Sequence, residues 1–165
     1  MSQDEIRSAI IELLQKNARL PDQQIADRLG IPVAVVAAEV AAMEQEGIIL
    51  GYHVMINEEK WDHGEVRAMI ELEIQPERDG GYDAVAQAIC KFPEVRTVYL
   101  ISGQRDLRLE VMGRSLREIA SFVASKLAPL PGVRSTATHF FLKTYKEYGF
   151  TPEKDQVYER LAVAP

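Results

Sequence analysis

The chain has 165 residues, with 19 Lys and Arg against 25 Asp and Glu, a formal net charge of −6 and a pI near 5.2. Its 47% hydrophobic and 27% charged residues are the balance of a folded globular protein with one good core or two small ones, which excludes disorder as the main state. The longest stretch without Asp, Glu, Lys or Arg, between Glu46 and Glu58, is far short of the ~18 apolar residues of a membrane span. No signal-peptide pattern opens the chain, and a single cysteine, Cys90, with three scattered histidines provides neither an intrachain disulfide nor a zinc set. The expectation is a cytoplasmic protein with no membrane partner, no metal and no cofactor.

The charge is unevenly placed. Residues 1 to 60 hold five basic and ten acidic side chains, so nearly all the deficit lies in the first third. That third is helical by period. Ile6, Ile10, Leu13 and Leu14 form an apolar stripe on a helix from about Asp4 to Lys16, with acidic residues in the first turn as the helix dipole prefers. Pro21-Asp22 starts a short second helix that buries Ile25, Ala26 and Leu29, and Gly30 stops it because glycine adopts positive φ freely. Pro32 suits the first turn of a third helix, in which Val33, Val36, Val40 and Met43 turn inward until Glu46-Gly47 ends it. Three helices with a tight turn between the second and third make a helix-turn-helix. A strand-like segment from Ile48 to Ile56 and a less regular stretch to Glu65 follow, and the domain boundary is placed there.

The period then changes to two. Val66, Ala68, Ile70, Leu72 and Ile74 alternate with more polar neighbours as in a half-buried strand ended by Pro76, and Gly80-Gly81 breaks the chain. Tyr82, Val85, Ala86 and Ile89 restore a helical step. Strands Val95 to Ile101 and Leu107 to Met112 are joined by the polar link Ser102-Gly103-Gln104-Arg105-Asp106, as in an antiparallel hairpin. Leu116, Ile119, Ala120, Val123 and Leu127 mark a further helix, closed by Pro129 and Pro131-Gly132, before a last strand from about Val133 to Leu142. The order βαββαβ is that of a ferredoxin-like split unit in an α+β chain. Two helices cover only one face of four strands. Because Val98 and Leu100 oppose Val95, Tyr99 and Ile101, both faces carry apolar residues, and a second copy of the chain is the simplest cover. A tail from about 147 to 165 holds a possible helix start at Thr151-Pro152-Glu153 and an apolar end, Leu161-Ala162-Val163.

A helix-turn-helix followed by a βαββαβ domain resembles the Lrp/AsnC family of transcription regulators, over about residues 4 to 146. The matching stretches are Ala18-Arg19-Leu20, Ile25-Ala26-Asp27-Arg28-Leu29-Gly30-Ile31, Met43 to Tyr52, Ser102-Gly103-Gln104-Arg105-Asp106 and Gly132-Val133-Arg134-Ser135-Thr136. The resemblance implies a winged-type helix-turn-helix over 1–50, a linker over 51–65 and an effector-binding and oligomerisation (RAM-type) domain over 66–146. It also implies double-stranded DNA as a partner, an amino-acid-like effector, and homodimers that assemble to tetramers or octamers.

In the family the third helix enters the major groove, where Arg and Lys serve phosphates and guanine edges. This sequence departs from that pattern. The outward positions are read as Ala34, Val35, Ala37, Ala38, Glu39, Ala41 and Ala42, and no basic residue lies between Arg28 and Lys60. The DNA contacts expected are therefore Arg19, Gln23, Gln24 and Arg28 with the close approach of Ala34, Val35 and Ala38, giving binding that is weak per dimer and restored by oligomerisation. A stand-alone sensor with little DNA affinity is the alternative.

By itself the Gly103-x-x-Asp106 element is a hairpin turn, with Gly103 at positive φ and Asp106 bonded to local backbone. The resemblance adds an effector site of Ser102, Gly103, Arg105, Asp106, Thr136 and Thr138. Asp62-His63-Gly64-Glu65 reads as a solvated turn rather than a metal set, His53 and His139 fall in the strand readings, and Cys90 is read as a buried small hydrophobe. Sirohaem decarboxylases share this architecture, but their His, Tyr and Arg cluster has no histidine counterpart in Val98 to Asp106. No catalytic residues are assigned.

Overall fold

The computed structural model describes residues 1–61, 64–75 and 81–152, and the chain divides into two compact units, Met1–Met55 and Ile56 onward. In the first unit α1 spans Gln3–Lys16, α2 Asp22–Leu29 and α3 Val33–Gln45. The start of α1 is fixed by a capping box: the Ser2 hydroxyl accepts from the Glu5 N–H at 3.3 Å, and the Glu5 carboxylate accepts from the Ser2 N–H at 2.7 Å. The Ser-x-x-Glu spacing carries that signal, although the apolar stripe alone starts the helix at Asp4. Gly30 ends α2 at φ +65°, and the turn delivers Pro32 as the cap of α3. Ile10, Leu20, Ile25, Ala26, Val36 and Met43 form the buried core.

Two expectations for this unit are corrected. Val33 is 40% exposed, whereas Glu39 turns to the flank facing α1 and is only 18% exposed at its side chain. Val35 and Ala42 are half-buried. The segment Ile48 to Ile56 joins no ladder among the described residues, so His53 is not in a strand. Its alternation is genuine, but a strand needs a hydrogen-bonding neighbour, and none is provided here. Ile48, Leu50, Tyr52, Val54 and Ile56 are all exposed as a result.

The second unit contains β1 (Val66–Ile74), α4 (Asp83–Ile89), β2 (Val95–Leu100), β3 (Leu107–Gly113), α5 (Leu116–Phe122) and β4 (Val133–Phe140). The last turns after α5, Val123–Leu127, widen to i+5 hydrogen bonding, with the Ala128 N–H donating to the Val123 carbonyl at 2.8 Å. The sheet is antiparallel in the order β2-β3-β1-β4, the ferredoxin-like order expected. Ala68, Ile70, Leu72 and Ile74 of β1 and Leu107, Leu109 and Val111 of β3 lie under Ile89, Ile119, Phe122 and Leu127 of the helical layer. A register shift between Val95 and Thr97 places Val95 and Val98 on that same covered face, correcting the opposition assigned to them. Cys90 caps α4 and is exposed, not buried.

Part of the open sheet face is occupied by the chain's own C-terminal segment. The Arg67 guanidinium reaches Glu110 at 2.9 Å, Glu147 at 2.6 Å and Glu58 at 3.2 Å, and stacks 5.1 Å from the Phe141 ring centre. Tyr148 at φ +45° and Gly149 at +88° make a tight two-residue turn between Glu147 and Phe150, which exchange both backbone hydrogen bonds. Tyr148 lies beside Tyr99 of β2, whose proximity raises the Tyr148 hydroxyl above the ordinary tyrosine value. The suggested tail helix begins at Thr151 but falls mostly on residues outside those described, as do Leu161 to Val163, Pro76, Gly80, Asp62 and His63.

Candidate DNA-facing helix and effector loop

On α3 the core takes Val36, Val40 and Met43, and the opposite face exposes Ala34, Ala37, Ala38 and Ala41, with exposed Val33 at its start. Arg7 of α1 holds the flank: its Nε donates to Glu39 at 2.6 Å and its two terminal nitrogens to Glu46 at 2.7 and 3.0 Å. Gln3 adds a hydrogen bond to Glu39 at 3.0 Å. The guanidinium holds both carboxyls below the ordinary glutamate value of 4.5. Glu39 and the C-cap Glu46 are therefore drawn to one side, where one guanidinium offsets part of their two charges. Glu44 stays exposed with the Tyr52 hydroxyl as its donor, and the outward face carries no formal charge from Val33 to Ala42.

The other DNA-contact residues expected lie around this helix. Arg19, Gln23, Gln24 and Arg28 are exposed, and no ion pair among the described residues engages Arg19 or Arg28. Gln23 donates to Asp27 at 2.8 Å, one turn along α2. Val35 is turned half inward, so it is the least available of the set.

In the second unit the Ile101 N–H donates to the Asp106 carbonyl at 2.8 Å and closes the hairpin, leaving Ser102, Gly103 and Gln104 exposed. Gly103 takes φ +127°, where a side chain would be strained. Asp106 bonds farther than its own turn. Its N–H donates to the Leu72 carbonyl at 2.9 Å, and its carboxylate accepts from the Ile74 N–H at 2.7 Å, so the side chain stands in for a further backbone pair at the end of the β1–β3 ladder. The Tyr82 hydroxyl is held above the ordinary tyrosine value by the charge of that carboxylate.

Arg105 donates to the Ser135 hydroxyl at 2.5 Å and lies 3.5 Å from Glu73, which Arg134 approaches at 3.4 Å and to which Ser135 donates at 3.0 Å. Glu73, Arg105, Arg134 and Ser135 thus form one cluster; the pattern of the link and last strand pointed to Arg105 but not to Glu73, Arg134 or Ser135. Thr136 and Thr138 pair with Leu72 and Ile70, so they share the helix-covered face and are half-buried. Ser135, Ala137 and His139 share the other face with Glu73, Glu71 and Met69. The chain therefore gathers Arg105 and Asp106 at one end of the sheet and places the two threonines on the face opposite the Ser135 hydroxyl. A cavity of about 220 Å³ lies elsewhere, between α4 and the loop before β4, lined by Gln75, Val85, Ala88 and Gly132 among others. No group of three or more metal-ligating side chains is found among the described residues.

A helix-turn-helix unit joined to a ferredoxin-like sheet unit is the architecture of a DNA-binding regulator with a ligand-sensing domain. Residues 3–49 match the family described as winged helix-turn-helix DNA-binding, and residues 67–149 match the Lrp/AsnC ligand binding domain. The chain is 40% identical over 166 residues, covering 100% of both sequences, to the uncharacterized HTH-type transcriptional regulator YugG of Bacillus subtilis. It is 32% identical to the HTH-type transcriptional regulator LrpA of Pyrococcus horikoshii, over 87% of this chain and 99% of that one. Solved structures of the same fold include AsnC of E. coli (TM-score 0.66, 22% identity, 87% of this chain and 94% of that one). Another is a Neisseria meningitidis transcriptional regulator in complex with L-Met (TM-score 0.69, 24% identity, 89% and 93%). The chain belongs to the Lrp/AsnC family of transcriptional regulators. Its helix-turn-helix is the DNA-binding part and its sheet unit the ligand-binding part. None of the described helices is long and apolar enough to cross a membrane.

Proposed function

We propose that this regulator works as a cytoplasmic homo-oligomer, dimers assembling to tetramers or octamers, whose helix-turn-helix units each hold DNA weakly and act well only together. The observation that carries this reading is the outward face of α3, which offers phosphates no cation and leaves Arg19 and Arg28 as the nearby ones. Two neutralised phosphates per copy give a salt slope of about −2, so affinity must be gathered from several copies on one duplex. The pairing of Glu39 and Glu46 with Arg7 favours DNA binding over a sensor that has abandoned it, because one guanidinium offsets one of the two carboxylate charges on the flank of α3. A gel-shift titration against duplexes with one or several sites tests this. The expected result is a salt-sensitive complex that strengthens with site number, and no such complex on any duplex overturns it.

The effector belongs at the hairpin, with Ser102, Gly103, Arg105 and Asp106 as its contacts. Thr136 and Thr138, also expected there, are half-buried on the helix-covered face, away from the Ser135 hydroxyl that Arg105 holds, and are left out of the site. The exposed backbone at 102–104 suits the polar ends of an amino acid, and Arg105 suits its carboxylate. The L-Met complex of the Neisseria protein supports an amino acid as the ligand class. Binding shifts the assembly and so the arrangement offered to DNA. Isothermal titration of the twenty amino acids is the test. Arg105→Gln should weaken the amino acid that binds by about tenfold, the worth of one charge-assisted hydrogen bond. Equal binding by wild type and Asp106→Asn removes the Asp106 charge from the site.

A further inference from the structure

We infer that this regulator reads sequence through the 5-methyl groups of thymine, by methyl-to-methyl contact from α3, rather than through hydrogen bonds to base edges. The inference rests on the DNA-binding role that the family match gives the helix-turn-helix, and it concerns how that established ligand is read. At 100° per residue, Ala34, Ala37, Ala38 and Ala41 fall within one face about 100° wide, opposite the buried Val36 and Met43. All four are exposed, as is Val33 at the start of the helix. In a helix-turn-helix the N-terminal part of the second helix meets the bases, and here that part has no side-chain donor or acceptor.

The polar group of α3 nearest the middle of the helix is withdrawn as well. Glu39 lies on the α1 flank, held by Arg7 at 2.6 Å and Gln3 at 3.0 Å, and so does not accept from a cytosine amino group in the groove. The first side chain on the outward face able to hydrogen-bond is Gln45, in the last turn. In the major groove, thymine is distinguished from every other base by its methyl group, and alanine is among the side chains that contact it. Short side chains also let the helix backbone come closer to the base edges than Arg or Gln allow, which brings the methyl groups within van der Waals contact. Discrimination then favours steps that place thymines on the contacted strand, with the rest of the specificity coming from duplex shape.

The test uses the full chain and duplexes selected by it from a random library, measured by fluorescence anisotropy before and after replacing thymines of one half-site by deoxyuracil. Each contacted methyl removed should weaken binding about fourfold, the ratio corresponding to about 0.8 kcal/mol per buried methyl-sized group. Replacing guanines by 7-deazaguanine, which deletes the N7 acceptor, should leave affinity within about twofold. In Ala38→Gly or Ala34→Gly the ratio of thymine to uracil affinities should fall toward one at the contacted base, a readout in which any general loss of helix stability cancels. Uracil duplexes that bind as well as their parents overturn the methyl reading, as does a large loss with 7-deazaguanine. Failure to select any duplex in a salt-sensitive complex instead overturns the DNA-binding reading on which it stands.

Discussion

Each unit gathers glutamates around one arginine, and the two arginines serve different ends. Arg7 sits on the rim of three helices and binds Glu39 and Glu46 beside the outward face of α3. Arg67 lies in the middle of a sheet face, its side chain only 13% exposed, and binds Glu58, Glu110 and Glu147 from three separate parts of the second unit. The first clamp offsets part of the acidic charge beside the outward face of α3. The second fastens the C-terminal turn and the segment before β1 onto a sheet that helices leave half covered. The same ion chemistry thus tunes a surface in one unit and closes a structure in the other.

Arg67→Met breaks the second use most directly. It leaves three carboxylates near one another without their cation and should cost about 2 kcal/mol in urea unfolding, below the about 3–5 kcal/mol of a fully buried pair because the carboxylates keep some water. The turn Glu147 to Phe150 should become more protease-sensitive; unchanged stability and cleavage would show that Arg67 does not fasten it. Asp106→Ala comes next, because it leaves the Ile74 N–H without its acceptor, and a loss of about 1.5 kcal/mol is expected. A loss as large in Asp106→Asn would assign the effect to charge beside Tyr82 rather than to the hydrogen bond.

Arg7→Gln should have the smallest effect on stability and a larger one on DNA, weakening the complex at low salt as Glu39 and Glu46 regain their uncompensated charge. Its pH dependence sharpens the comparison. Both carboxyls sit below 4.5 when folded, so the stability from this clamp is fully present above 4.5 and is lost as pH falls through their lower folded values. The stability gap between wild type and Arg7→Gln should therefore shrink below pH 4.5. A gap that stays constant in acid would contradict the ionic origin of the clamp.

The order of elements was legible from period alone, because burial on one face imposes a step of 3.6 in α1 to α3 and of two in β1. What period cannot show is a residue's partner. Glu39 lies on the apolar stripe's edge, and only the arrival of Arg7 from 32 positions away decides that it is ion-paired. The strand pattern of Ile48 to Ile56 is likewise real, yet pairing depends on a neighbour that the pattern does not encode. At the β2–β3 hairpin, Gly103 and Arg105 were readable from turn chemistry and charge. Ser135 and Glu73 emerge only from the β1–β4 register, and the same register turns Thr136 and Thr138 to the covered face.

The salt dependence of DNA binding tests the central claim most directly, measured for the full chain on duplexes carrying one, two and four selected sites. With about two phosphates neutralised per copy, a dimer on one site should give a slope of log affinity against log salt near −4, steepening with each further dimer as affinity rises. A slope of about −8 or beyond for one dimer on one site would contradict a weakly charged reading helix, and so would an affinity indifferent to the number of sites.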